Sequence, residues 1–343
     1  MFAGSSSGLR PVGLVFSSGG VHDASVAAEL AERAGFGSVW ATEFYDRSAT
    51  IALAAMAGAT RAVALGSAIA YAFGRTPLVL AAEARDLDEL SGGRLTLGLG
   101  TGTRRMQQDW HGLDGEHPAS RMEELVPLLR RIWRLDQGAI EHEGRFYRLR
   151  VAPTAAVARP LREQIPIYMA GVNPRMIEAA GAVADGLVGH PLFSPEYVRE
   201  VAKPALERGA ARAGRSGRPP IAGYLTCSVD PDGERARREA AAVVAFNSTV
   251  KTYEIVHRLH GFEPEVEGIR AAWRAGDFAG MAAAVSDRML DTVALAGTPA
   301  EVRRRFAERW NDVYEQTLLW PPAFRGMEGV SAVCETFAAQ AVS

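Results

Sequence analysis

Hydrophobic positions repeat with two different periods along this chain, and the switch between them is sharpest from Leu87 to Thr103. Leu87 and Leu90 share one helical face, Ser91-Gly92-Gly93 supplies a stop, and Leu95, Leu97 and Leu99 then alternate with Thr96 and Gly98 at the strand period. The strand runs straight into Gly100-Thr101-Gly102-Thr103, where missing side chains let a bound group approach the backbone. This is a helix, a turn, a buried strand and a glycine loop at the strand's carboxyl end, the place where α/β proteins hold ligands.

The same alternation lays down eight strand–helix units. Strands are expected over residues 12–17, 38–43, 63–70, 95–101, 165–170, 186–189, 221–229 and 317–320. Asp23 is the expected N-cap of a helix that reaches Ala34 before Gly35, a second helix runs from about Ser48 to Thr60, and Pro77 suits a helix's first turn. An amphipathic helix over 121–135 and a hairpin over 140–149 separate the fourth and fifth strands. Residues 232–294 hold more helix than one unit needs. The pattern predicts a single TIM (β/α)8 barrel spanning 1–343, with a flexible tail at 1–10 and insertions at 137–164 and 232–294 that enlarge the strand-carboxyl side.

Composition agrees with one globular unit. The chain has 343 residues, 48% of them hydrophobic and 23% charged, and its net charge of -2 comes with no basic block interleaved with aromatics. A nucleic-acid surface and an anionic membrane partner are therefore not expected. Cys227 and Cys334 stand far apart without metal-ligand spacing, so no metal site is expected. Neither a basic-then-apolar leader nor a long uninterrupted apolar run occurs, which leads to the expectation of a cytoplasmic protein. Gly98, Gly100 and Gly102 lack the spacing of a dinucleotide fingerprint, and no serine or cysteine has a recognisable His/Asp escort for nucleophilic hydrolysis.

Six segments in order carry a family resemblance. Leu87-Asp88-Glu89-Leu90-Ser91-Gly92-Gly93-Arg94 followed by the glycine-ended strand, Ala31 to Trp40, Arg75-Thr76-Pro77, Pro166 to Gly171, Ala184-Asp185-Gly186-Leu187 and Ala296-Gly297-Thr298-Pro299-Ala300-Glu301-Val302 together resemble the bacterial luciferase-like superfamily of flavin- and deazaflavin-dependent TIM barrels. Its branch similar to methylenetetrahydromethanopterin reductase implies a coenzyme F420-dependent oxidoreductase moving a hydride between the deazaflavin C5 and a small organic substrate. FMN-dependent monooxygenation with a partner reductase is the alternative, and a non-catalytic flavin-binding barrel is a third. The resemblance also implies a homodimer, with an F420 or flavin reductase as redox partner.

Site residues follow from the two arguments together. Glu43 is a carboxylate at a strand's carboxyl end that either touches the cofactor ring or pairs with Arg47 one turn on. Phe44 occupies the place where some deazaflavin sugar-phosphate dehydrogenases of the family carry an acid/base histidine, and a phenyl ring cannot do that work. His22 and Tyr45 remain as acid/base candidates. By resemblance, a cis peptide joins Ala68 and Ile69 under the ring, Thr101 and Gly102 permit close approach, and Met169, Ala170, Gly171, Val172 and Asn173, with Gly189 and His190 beside them, receive the phosphate. Free N–H groups at the helix opened by Asn173-Pro174 suit that role physically. Arg104, Arg105, Arg175, Arg199 and Lys203 are the candidate cations. Phe44, Tyr71, Trp110 and Trp320 are the expected floor of an apolar substrate pocket.

Overall fold

The computed structural model describes residues 11–338; the tail expected at 1–10 lies outside them. Its strands in chain order are β1 (Val12–Phe16), β2 (Ser38–Ala41), β3 (Ala64–Ser67), β4 (Ala70–Tyr71), β5 (Leu95–Gly100), β6 (Ile140–Glu143), β7 (Arg148–Val151), β8 (Ile167–Ala170), β9 (Gly186–Val188), β10 (Ile221–Val229), β11 (Ala294–Gly297) and β12 (Gln316–Trp320). Eight of them close a parallel barrel in the order β1, β2, β3, β5, β8, β9, β10, β12 and back to β1. The third strand breaks at a cis peptide between Ala68 and Ile69 and resumes as β4, which pairs with the upper half of β5. The cis bond is where the resemblance put it.

Strand alternation sorts the side chains into two cores. Leu14, Val39, Leu65, Leu95, Leu97, Leu99, Ile167, Leu187 and Leu319 face outward into the helix layer, packed against alanine-rich helices such as Val21–Arg33. Val15, Trp40, Leu318, Tyr168 and Tyr224 face inward. Trp40 fills the lower interior because Gly66 gives up its side chain to it, where a Cβ would lie 2.4 Å from the indole; Gly98 instead lets the Ser67 carbonyl of the neighbouring strand approach, at 1.8 Å from where its Cβ would stand. The indole Nε1–H donates to Ser38 Oγ at 2.7 Å, and Tyr168 leans on the ring at 6.1 Å between centroids. Higher in the barrel the inward residues on the β3, β5, β8 and β9 side are small, namely Ala68, Gly100, Ala170 and Val188, with Trp320 standing across from them. The lower barrel is therefore filled and the strand-carboxyl half is left open.

Three local expectations need correction. Asp23 is not the N-cap but the third helical residue, with Oδ2 accepting from the N–H of the cap, Gly20, at 2.7 Å. The chain also contains β11, which pairs with the carboxyl end of β10 outside the barrel repeat. The hairpin β6–β7 lies along the helix Pro118–Trp133, whose Glu124 accepts from the Phe146 and Tyr147 N–H groups, and no hairpin residue reaches the cavity described below. Of the two insertions, it is the helical one that shapes the mouth.

Candidate active site

A cavity of about 1110 Å³ opens at the strand-carboxyl end. Pockets for drug-sized ligands run to roughly 1,000 Å³, so the volume has room for a large ligand. Its wall includes Glu43, Phe44, Ala68, Ile69, Tyr71, Thr101, Gly102, Ala170, Gly171, Val172, Asn173, Gly189, His190 and Trp320, all expected from the sequence. Four expected residues stand elsewhere. Met169 points into the outer core, as a strand residue adjacent to inward-facing Ala170 must. His22 is exposed on its helix, and Tyr45 is 73% exposed; neither borders the cavity. Trp110 sits behind the wall, edge-on to Phe44 at 5.1 Å and to Tyr71 at 6.5 Å. Among the candidate cations Arg104 and Arg175 line the cavity, while Arg105, Arg199 and Lys203 do not.

Glu43 stands two residues past β2 and pairs with neither Arg47 nor open space. Arg75 grips it at both oxygens, Nη2 to Oε1 at 2.7 Å and Nη1 to Oε2 at 3.1 Å, and the Tyr71 N–H donates to Oε2 at 2.8 Å. Arg75 turns its Nε to Glu83 at 2.8 Å. Burial works against the Arg75 charge, but the two carboxylates outweigh it and hold the guanidinium above its ordinary value. Arg47 instead donates to the Gly19 carbonyl at 2.9 Å. Glu43 thus ties the β2 loop to β4 and the start of the following helix; its geometry is that of a positioning residue.

The wall opposite is built from backbone. Asn173 starts the helix Pro174–Val183 without a side-chain cap; Pro174 has no N–H and the Met176 and Ile177 N–H groups turn to the Asn173 carbonyl at 3.0 and 3.1 Å, which leaves the dipole and the Arg175 N–H to face a ligand. His190 lies beside it, against Tyr253 at 3.9 Å between ring centroids. Burial, with a small contribution from His257, pushes its pKa down to about 3, so the imidazole is neutral at physiological pH. Nδ1 accepts from the Leu192 N–H at 3.2 Å, which leaves Nε2–H as a donor. Gln107 adds a buried Oε1 that has no hydrogen-bond partner among the described residues. A polar ligand in the cavity satisfies an acceptor of this kind.

Some wall residues carried no usable signal in the sequence. Phe246, Asn247, Tyr253, Phe278 and Met281 come from the helices Gly233–Ser248 and Phe278–Ala283 and the turn Lys251–Tyr253, which fold over the mouth. Tyr224 was within reach: it follows Ala222 at the inward period of β10.

Comparison with known proteins agrees with this geometry. A sequence profile described as luciferase-like monooxygenase matches residues 9–316. An uncharacterised protein of Mycobacterium tuberculosis is 32% identical over 306 residues, covering 86% of this chain and 88% of that protein. The 5,10-methylenetetrahydromethanopterin reductase of Methanolobus tindarius is 32% identical over 285 residues, covering 82% and 84%. The solved structure of the coenzyme F420-dependent tetrahydromethanopterin reductase from Methanopyrus kandleri superposes with a TM-score of 0.81 at 26% identity, covering 96% of this chain and 98% of that one. A profile spanning nearly the whole chain and an eight-stranded barrel of the same shape lead to one conclusion: the chain belongs to the luciferase-like monooxygenase family.

Proposed function

We propose that the protein is a coenzyme F420-dependent oxidoreductase acting on a small organic substrate. The observation that carries the reading is the cavity itself: one open barrel mouth bounded by small inward residues on one side and by uncapped backbone on the other. Likeness to F420-dependent reductases over more than four-fifths of the chain supports deazaflavin over FMN. When bound, F420 supplies a hydride acceptor or donor at ring carbon C5 and, lacking N5, reacts little with oxygen.

The residues present fit such a group. Ala68, Ile69 and Gly100 line the cavity with small or apolar groups, and the Gln107 carbonyl and the His190 Nε2–H offer one acceptor and one donor. The N–H groups from Gly171 to the helix start suit a phosphate, with Arg104 and Arg175 at the rim. Arg175 is held by Glu123 at 2.9 and 2.6 Å and Arg104 by Glu116 at 2.5 Å, so each reaches a tail anion only by sharing its carboxylate. The helix start is therefore the main anion site. Trp320 and Tyr224 keep water from the inner end, and burial holds the Tyr71 hydroxyl protonated, with Glu43 reinforcing it. The chain's contribution is binding, orientation and water exclusion.

Titration of the purified protein with F420 and with FMN, followed by absorbance and intrinsic fluorescence, tests this. Saturable F420 binding at least about tenfold tighter than FMN binding is expected. Preference for FMN, with oxygen consumption on reduction, makes the protein a flavin monooxygenase instead.

A further inference from the structure

The cavity wall changes character around the barrel. On the β5, β8 and β9 side lie Arg104, Arg175, His190 and the uncapped helix start. On the side of β10, β12 and β1, together with the rim helices, the wall is dominated by Tyr224, Trp320, Phe246, Phe278, Met281 and Phe324, with the uncharged Ser17 and Asn247 between them, the latter donating to the Val243 carbonyl. The polar atom of the inner indole is already used: Trp320 Nε1–H donates to Ser17 Oγ at 2.6 Å. The nearest charges are neighbours of opposite sign, Asp46 and Arg47, and the Arg47 guanidinium is bonded to the backbone carbonyls of Gly19 and Asp46. No unengaged cation faces this side among the described residues.

Its rings are also left in water. Phe246, Phe278 and Phe324 are 53%, 69% and 64% exposed, and Trp273 braces the first two edge-on at 6.3 and 5.9 Å. Three phenyl rings at one cavity mouth, continuous with an indole and a phenol inside it, form an apolar patch that calls for a ligand. All three line the same cavity as Tyr224 and Trp320, which suits a small molecule more than a protein surface.

We infer that the substrate is an uncharged, ring-bearing molecule bound between the Tyr224–Trp320 pair and the Phe246, Phe278 and Phe324 rim, and that the site discriminates against carboxylated or phosphorylated analogues. This rests on the reading above in assigning the opposite side of the cavity to the cofactor. Burying a charge here without a partner is unfavourable, whereas burying a neutral ring is favourable.

The probe pair is 2-naphthol, neutral at pH 7, and 2-naphthoate, the same ring bearing a charge. Their affinities are measured by calorimetry on the protein alone and saturated with F420 or FMN. Naphthol is expected to bind at least about tenfold more tightly than naphthoate. The double variant Phe278→Ser/Phe324→Ser, at two exposed positions that contribute little to folding, should weaken naphthol about tenfold while leaving F420 affinity unchanged. Equal or tighter naphthoate binding, or naphthol affinity unaltered in the variant, overturns the inference. A protein that binds neither F420 nor FMN but keeps the naphthol preference overturns the cofactor reading and leaves this one standing.

Discussion

The two ends of the barrel use their charged residues in opposite ways. At the strand-amino end they clasp backbone. Arg94 donates to the Ser91, Val63, Ala57 and Thr60 carbonyls and to the Thr60 hydroxyl, at 2.6 to 3.2 Å. Glu32 accepts the N–H groups of Arg61, Ala62 and Val63, Asp185 accepts Ile167 N–H and Arg130, and Glu315 accepts Ile221 N–H and Arg218. Arg162 bridges Asp88 and the Leu95 carbonyl. The starts of β3, β5, β8 and β10 are thus each pinned by an ionic side chain. At the strand-carboxyl end the charged side chains mostly pair with one another, as Glu43 with Arg75, Arg104 with Glu116 and Arg175 with Glu123, and the rest of the mouth is glycines, backbone and exposed rings. The lesson is a division of labour: at one end charges fasten strand backbone, and at the other an open wall of backbone and rings is left for the proposed ligands.

The largest effect is expected where the amino end is cut. Arg94→Met strands several carbonyls and should cost about 3 kcal/mol, given 1.5–3 for a single charge-assisted bond and partial rescue by water. Chemical denaturation should show the loss, with F420 affinity unchanged. A variant as stable as the parent breaks the comparison at its stronger side.

Glu43 is the informative case among the carboxyl-end charges, because it is part-buried and bound as fully as any amino-end charge. Glu43→Gln keeps the volume but leaves Arg75 facing only Glu83, and is expected to lower stability by about 2 kcal/mol, less than full removal of a buried partner. F420 affinity should fall by less than tenfold, through slackening of the β4 backbone. Unchanged stability would show that the Arg75 pair is idle, and would return Glu43 to a direct part in the chemistry.

How far the sequence foretold these two ends depends on the range of the interactions involved. The eight strands were legible because alternation is local, and β10 begins and ends at the residues its pattern marks. The wall from Ala170 to Asn173 was legible because a strand's end and a proline-opened helix fix where backbone is exposed. The partner of Glu43 was not, since the helical spacing offered Arg47 while the fold supplies Arg75 from the loop after β4. Met169 was misplaced by treating a segment as a unit when successive strand residues face opposite ways. The Phe246, Phe278 and Phe324 rim was illegible because which face of a rim helix meets the cavity is set by tertiary packing. Bulk at Gly171 is a poor probe of the proposed phosphate wall, because a Cβ there would lie 2.8 Å from Met176 Cγ and press on the helix itself.

Ala170 is a cleaner probe: it faces the cavity from the last position of β8 and is partly exposed within it. The decisive measurement is therefore the F420 dissociation constant and the melting temperature of Ala170→Leu, determined beside those of Arg94→Met. The account predicts a crossover, in which Ala170→Leu binds F420 at least about tenfold more weakly and melts within a few degrees of the parent, while Arg94→Met melts earlier and binds normally. Normal F420 binding by Ala170→Leu, or weakened binding by Arg94→Met at a temperature where it is folded, would contradict the claim that the open strand-carboxyl end is the cofactor site and the clasped amino end its support.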